Sequence, residues 1–196
     1  MRVRILGAAF ILLGLSLLGL SSCSSPTKPS SPVQSSPTQI VSGQLIDLAT
    51  GAPVAGRQFK FDTQQIVTDG NGRYSIEVAT GDHSFRLDSG ETGSISARYS
   101  PAKGDIFANI GNCQGRYGVV FDLSTGRPIA GAKVSLTGSV TTGADGWYRI
   151  DAGCGQTFFN TTFFAADAVG YQGYFQGMGR YVNSLTRQDI GLNSLH

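Results

Sequence analysis

The chain has 196 residues, with 27 Gly and only 14% charged side chains, a balance that suits short strands and turns better than long surface helices. Of the 15 Lys and Arg, Arg2 and Arg4 fall in an N-terminal leader, which leaves 13 basic against 13 acidic side chains. A neutral remainder without a Lys/Arg cluster excludes an electrostatic nucleic-acid binder, and the length excludes a large two-lobed enzyme.

Residues 1–22 read as an export leader: Arg2 and Arg4, an uncharged apolar run from Ile5 to Leu20, then the small Ser21 and Ser22 before Cys23. The run is shorter than the roughly 20 residues of a stable membrane span, so removal is expected. Leu20-Ser21-Ser22-Cys23 resembles the bacterial lipobox. That resemblance implies a diacylglyceryl group on the Cys23 thiol, cleavage just before it, and membrane lipid as a partner. Ser24, standing where an Asp would retain the protein at the inner membrane, implies the outer membrane. The alternative is an ordinary cleavage site that leaves Cys23 as a free thiol. Residues 23–39 are dominated by Ser, Pro and Thr and cannot bury enough apolar surface to offset their ordering entropy. They are expected to form a disordered tether reaching up to roughly 50 Å at about 3.1 Å per residue.

Beyond the tether the chain repeats itself. Asp47-Leu48-Ala49-Thr50-Gly51-Ala52-Pro53-Val54-Ala55-Gly56 recurs 75 positions on as Asp122-Leu123-Ser124-Thr125-Gly126-Arg127-Pro128-Ile129-Ala130-Gly131. Thr68-Asp69-Gly70-Asn71-Gly72-Arg73-Tyr74-Ser75-Ile76 recurs 74 positions on as Thr142-Gly143-Ala144-Asp145-Gly146-Trp147-Tyr148-Arg149-Ile150. The duplication divides the chain into modules 40–110 and 111–196. Each opens on an alternating strand, Val41 to Ile46 and Tyr117 to Phe121, and turns at Thr-Gly-x-Pro. It re-enters at Arg57 to Phe61 or Ala132 to Leu136, turns again at Asp69 to Gly72 or Gly143 to Gly146, and continues into aromatic and β-branched residues. No window shows a 3.6-residue period, so the fold class is all-β, two tandem small β-sandwiches.

The pattern Asp-x-x-Thr-Gly-x-Pro-[Val/Ile]-Ala-Gly, a strand, then Thr-x-x-x-Gly-x-Tyr-x-Ile resembles the carboxypeptidase regulatory-like domain. That resemblance implies a Greek-key sandwich of the transthyretin or prealbumin type, without the catalytic domain of the metallocarboxypeptidases. Arg187-Gln188-Asp189-Ile190-Gly191-Leu192 resembles that family's closing strand, with Asp105-Ile106-Phe107-Ala108-Asn109-Ile110 as a shorter counterpart.

Reactive groups are scarce. Of the two histidines, His83 sits between Asp82 and Ser84, where neighbours on a strand point to opposite faces and cannot assemble a Ser-His-Asp unit, and His196 ends the chain. No zinc-ligand spacing occurs, and Asp69 and Asn71 supply too few oxygens for Ca²⁺, so neither metal nor cofactor is expected. With Cys23 assigned to lipid, Cys113 and Cys154 are an even pair in an oxidising compartment and are expected to form a disulfide, the alternative being two buried thiols. Aromatics concentrate between Phe158 and Tyr181. Either alternate rings fill the core, or Tyr171, Tyr174, Phe175 and Tyr181 form a binding face.

The sequence therefore predicts a non-enzymatic lipoprotein of the cell envelope, serving as spacer or interaction unit for an envelope protein or a surface glycan. The competing readings are a carbohydrate-binding module using residues 158–181 and a small hydrolase using His83.

Overall fold

The computed structural model describes residues 37–154, 162–178 and 184–195. The leader, Cys23, most of the tether, Phe158, Phe159, Tyr181 and His196 lie outside the described residues. The described residues contain no helix, and the chain is all-β.

The first repeat comprises β1 (Thr38–Asp47), β2 (Gln58–Phe61), β3 (Gln64–Val67), β4 (Arg73–Ala79), β5 (Asp82–Leu87), β6 (Thr92–Ser96), β7 (Ala102–Lys103) and β8 (Ile106–Ala108). In β4 every second residue is buried, the period of a strand with one face on a core. One sheet joins β4 antiparallel to β1, whose other edge takes β7 and then β8 in parallel. The facing strands run β3-β2-β5-β6, all antiparallel. Between them lies one apolar cluster that includes Val41, Leu45, Phe59, Phe61, Tyr74, Ile76, Phe85 and Ile95.

The second repeat repeats this plan with β9 (Cys113–Asp122), β10 (Lys133–Ser135), β11 (Ser139–Thr141), β12 (Trp147–Cys154), β13 (Thr162–Asp167), β14 (Tyr171–Gln172), β15 (Tyr174–Met178), β16 (Leu185–Arg187) and β17 (Ile190–Ser194). Here β12 pairs antiparallel with β9, and β16 and β17 run parallel to it. The facing sheet is β11-β10-β13-β15.

The duplicated segments make duplicated contacts. Asp47 Oδ1 accepts the N–H of Ala49 and of Thr50, and Asp122 Oδ1 accepts those of Ser124 and Thr125, so each carboxylate closes its Thr-Gly-x-Pro turn. Thr68 and Thr142 donate to the carbonyls of Val54 and Ile129 and accept from the N–H of Arg57 and Ala132. At Gly43 and Gly118 the first strand passes so close to the closing strand that an added Cβ would lie 2.2 Å from Gly104 C or Gln188 O. No larger residue fits either position.

Cys113 and Cys154 are directly opposed on β9 and β12 and joined by a disulfide. A crosslink closing a loop of this length contributes about 3–4 kcal/mol by restricting the unfolded chain.

Hydrogen bonds from the Ser124 hydroxyl, from the N–H groups of Thr125 and Ser124 and from the Tyr171 hydroxyl hold the Asp122 carboxyl down to about 2. Its contribution is therefore complete above the ordinary value of 3.8 and disappears as pH falls through about 2. In urea titrations across that interval, wild-type protein should lose stability with acid more steeply than Asp122→Asn. Parallel acid limbs would show that this turn is energetically idle.

Candidate functional site

The two repeats are joined along a seam. All of β9 from Gln114 to Asp122 is buried, whereas β1 keeps one partly open face. The outward positions explain the difference: where the first repeat has Ser42, Gln44 and Arg73, the second has Tyr117, Val119 and Trp147. Those side chains meet the first repeat. Tyr99 packs with Val119 and Phe121, and Phe107 lies edge-on to Tyr117 with ring centroids 4.9 Å apart. Trp147 packs beside Tyr117, with the Lys103 ammonium 4.6 Å and the Arg187 guanidinium 5.5 Å from its ring centroid.

At the centre of the seam Arg187 and Asp189 form an ion pair, Nη2 to Oδ1 3.1 Å, with side chains 0% and 2% exposed. Arg187 donates across the seam to the carbonyls of Lys103 and Asp105. Asp189 accepts the N–H of Ser96 from the first repeat at 2.8 Å and that of Val119 from the second at 3.0 Å. Burial pushes the Asp189 carboxyl up, and Arg187 with the two N–H groups opposes that push. Through β16, which pairs with β9 on one side and meets β6 at Arg187 and Gly93 on the other, the seam becomes part of one continuous sheet.

Beside this seam lies an open cleft of about 660 Å³. The first repeat contributes Lys60, Ser84, Arg86 and Ser94, and the second contributes Gln176 and Gln188. Phe59, Phe61, Phe85 and Ile95 point into the core, which turns the intervening Lys60, Ser84, Arg86 and Ser94 outward.

The aromatic segment divides. Tyr171 and Tyr174 are half-buried against the core of the second sandwich. Tyr171 donates to Asp122 Oδ2 at 3.0 Å, and Tyr174 donates to Gln176 Oε1 at 3.0 Å. Phe175 lies on the opposite face, 66% exposed and stacked on the 55% exposed Phe163 with centroids 4.9 Å apart. The structure thus separates the tyrosines from Phe175 and places no shared binding face on the three.

His83 has a different partner from the neighbours that its sequence offers. Its Nδ1 lies 2.7 Å from Asp62 Oδ2 in the β2–β3 turn, and its Nε2 lies 2.7 Å from the Ala79 carbonyl. Ser84 donates to Asp62 Oδ1, and Asp82 accepts from Ser96 and Arg98. Burial raises the Asp62 carboxyl, but the hydrogen bonds from His83 and Ser84 outweigh it and leave the group below its ordinary value. Both ring nitrogens of His83 are engaged and neither faces a hydroxyl, so this cluster is a turn lock without a nucleophile-base pair. Among the described residues no three His, Cys, Asp or Glu converge on a metal position.

No protein-family model matches the chain, and no curated protein matches it. Among solved structures, 80% of the chain aligns with 34% of the Bacillus anthracis TIE protein, at 10% identity and a TM-score of 0.32. The shaft pilin SpaA of Lactobacillus rhamnosus GG aligns over 82% of this chain and 99% of its own, at 11% identity and 0.31. A DUF3823 family protein from Parabacteroides merdae aligns over 67% and 90%, at 10% identity and 0.31. The chain spans about a third of the first of these proteins. Likenesses this distant carry no assignment of function.

The seam and the cleft escaped sequence reading, although the mismatch of Arg73 with Trp147 and of Ser42 with Tyr117 between otherwise matching repeats was their signal.

Removing one member of the Arg187–Asp189 pair leaves an uncompensated buried charge, a loss of about 3–5 kcal/mol. Arg187→Met and Asp189→Leu should each lower stability in denaturant titrations by that order, and the double variant should lose less than either single one. The sole tryptophan, Trp147, reports the seam directly, because its fluorescence should redden in the single variants as water reaches it. Unchanged emission and additive losses would show that the pair does not hold the repeats together.

Proposed function

We propose that the chain is a non-catalytic lipoprotein of the bacterial envelope, tethered to membrane lipid through Cys23, whose two sandwiches act as one rigid spacer and interaction unit. The observation that carries this reading is the seam. A buried ion pair bonded to both repeats makes them a single stiff body, as a spacer requires and as two independently mobile modules are not. The commitment of His83 to Asp62 and Ala79 supports a non-catalytic role. Export is supported by the leader, and the Cys113–Cys154 disulfide suits an oxidising compartment. The lipobox resemblance supports lipidation, and Ser24 supports delivery to the outer membrane. The carboxypeptidase regulatory-like resemblance rests on the repeated Thr-Gly-x-Pro and Gly-x-Tyr-x-Ile segments, and it too belongs to this reading.

Two or three acyl chains hold a protein on a membrane almost permanently, since each buried methylene contributes about 0.8 kcal/mol. Cells grown with labelled palmitate should yield labelled wild-type protein in the membrane fraction, and Cys23→Ser should be unlabelled and released. Equal labelling of the two would remove the anchor from the proposal.

A carbohydrate-binding role for the aromatic segment is favoured by one observation, the outward Phe163–Phe175 stack. On a glycan array, Phe163→Ala and Phe175→Ala should lose at least tenfold in signal if that stack is a sugar platform. The inward Tyr174→Phe should retain it. An array on which wild-type protein gives no signal disposes of this second reading.

A further inference from the structure

The cleft beside the seam has a charge arrangement that its structural surroundings do not require. Lys60 on β2 and Arg86 on β5 are directly opposed across an antiparallel pair, on the face turned away from the core. Like charges so placed repel and weaken the pairing. Neither has an ion-pair partner among the described residues, and Asp62, the carboxylate in the same wall, is occupied by His83 and Ser84. Arg187 in the floor is neutralised by Asp189. With Asp62 held ionised in the same wall, the two cations leave one positive charge in surplus, and neither cation is held by an ion pair among the described residues. In the corresponding sheet of the second repeat the position of Lys60 is taken by Ser135, opposite Ala165, so the fold does not require a like-charged pair there.

Around the two cations the cleft presents hydroxyls and amides. Ser84 and Ser94 are opposed on β5 and β6, and on the second repeat's side Gln188 donates to Gln176 Oε1 at 3.0 Å and to the Tyr174 hydroxyl at 2.9 Å, which leaves the Gln176 side-chain N–H and the Gln188 side-chain carbonyl for a ligand. Among the described residues of the lining the only large apolar side chain is Phe85, which is itself buried in the core of the first repeat. Such a wall offers little to a fatty chain or to apolar peptide side chains. It suits a ligand rich in hydroxyl groups that also carries oxyanions. The volume of about 660 Å³ lies within the roughly 300–1,000 Å³ of small-ligand sites.

We propose that this cleft binds an acidic oligosaccharide, with Lys60 and Arg86 facing its carboxylate, sulfate or phosphate groups and the Gln and Ser side chains reading its hydroxyls. The site exists only where both repeats meet, and it does not depend on the membrane anchor or on the Phe163–Phe175 stack.

Calorimetric titration of the full chain in nonionic detergent tests the assignment with three probes: trigalacturonate, neutral maltotriose and hexaglutamate. Saturable binding of trigalacturonate is expected, weakening at least tenfold in the Lys60→Gln/Arg86→Gln double variant and on raising the salt concentration from about 50 to 500 mM. Arg73→Gln/Lys133→Gln removes the same charge from outside the cleft and should leave binding within about twofold. Trp147 fluorescence identifies any variant that has lost the seam, and Lys60→Arg, which keeps the charge, should retain binding. The proposal is overturned by an absence of trigalacturonate binding, by equal affinity for maltotriose, by equal or tighter binding of hexaglutamate, or by indifference to the double variant.

Discussion

The molecule depends on one buried ion pair. Arg187 and Asp189 stand two residues apart on the closing segment of the second repeat, and nearly every hydrogen bond that they make fixes a different piece of chain. Isolating two charges from water costs several kcal/mol for each ion, and their mutual attraction offsets this only when the remaining donors and acceptors are also satisfied. Here two carbonyls of the first repeat take the guanidinium, and one N–H from each repeat takes the carboxylate, while the Nε–H of Arg187 stays buried without a partner among the described residues. Neither repeat can move relative to the other without exposing or orphaning a charge. Apolar contacts around Trp147 would hold the surfaces together in several registers, and the ion pair selects one.

This arrangement is an elaboration of something both repeats possess. In the first, Asp105 accepts the N–H of Gln44 at 3.0 Å, the same bond that Asp189 makes to Val119. Each carboxylate replaces a backbone carbonyl at the break between the two short strands that flank the first strand of its sandwich. The cation differs in its surroundings. Lys103, two residues before Asp105, is partly exposed and reaches Asp145 across the seam at 2.7 Å, whereas Arg187 is enclosed. The second repeat receives the first on its outer sheet face. The matching face of the first repeat carries Ser42, Ser75, Arg73 and Glu77 and remains open to water. A stacked array needs a polar outer face to stop it, and the first repeat supplies that end.

What could be read in the sequence was what depends on near neighbours. The Thr-Gly-x-Pro turns and the alternation of β1 and β4 are local patterns with local causes, and the structure contains them; the expected closing strand Arg187 to Leu192 is broken at Gln188 and Asp189 into β16 and β17. The Cys113–Cys154 pair was legible because, with Cys23 assigned to lipid, two cysteines were left as an even pair in an oxidising compartment. The aromatic segment was not, because a run such as Tyr174-Phe175-Gln176 has a buried and an exposed face whichever way it is turned. Only its pairing with β13 decides that Tyr174 goes inward and Phe175 outward. The seam was encoded as disagreement between copies, Trp147 against Arg73, and disagreement within a repeat looks like drift until the two faces are brought together. His83 illustrates the same limit: its partner Asp62 is distant in sequence and becomes a neighbour only through the pairing of β2 with β5.

The cleft follows from the seam. The two sandwiches are fixed along one strand, and the open space beside that contact inherits whatever the adjoining strands turn outward. Most of its lining stands on sheet strands, whose backbones are held by ladders of hydrogen bonds and by the core beneath them. A ligand would therefore meet groups that have lost little freedom on binding, which is the condition under which a few polar contacts give useful affinity. The two cations occupy positions where a solvated strand face tolerates any polar residue. Placing like charges across from each other there is a cost that folding alone gives no reason to accept. The same ion pair that makes the protein stiff thus also brings the second repeat's amides within reach of the first repeat's cations.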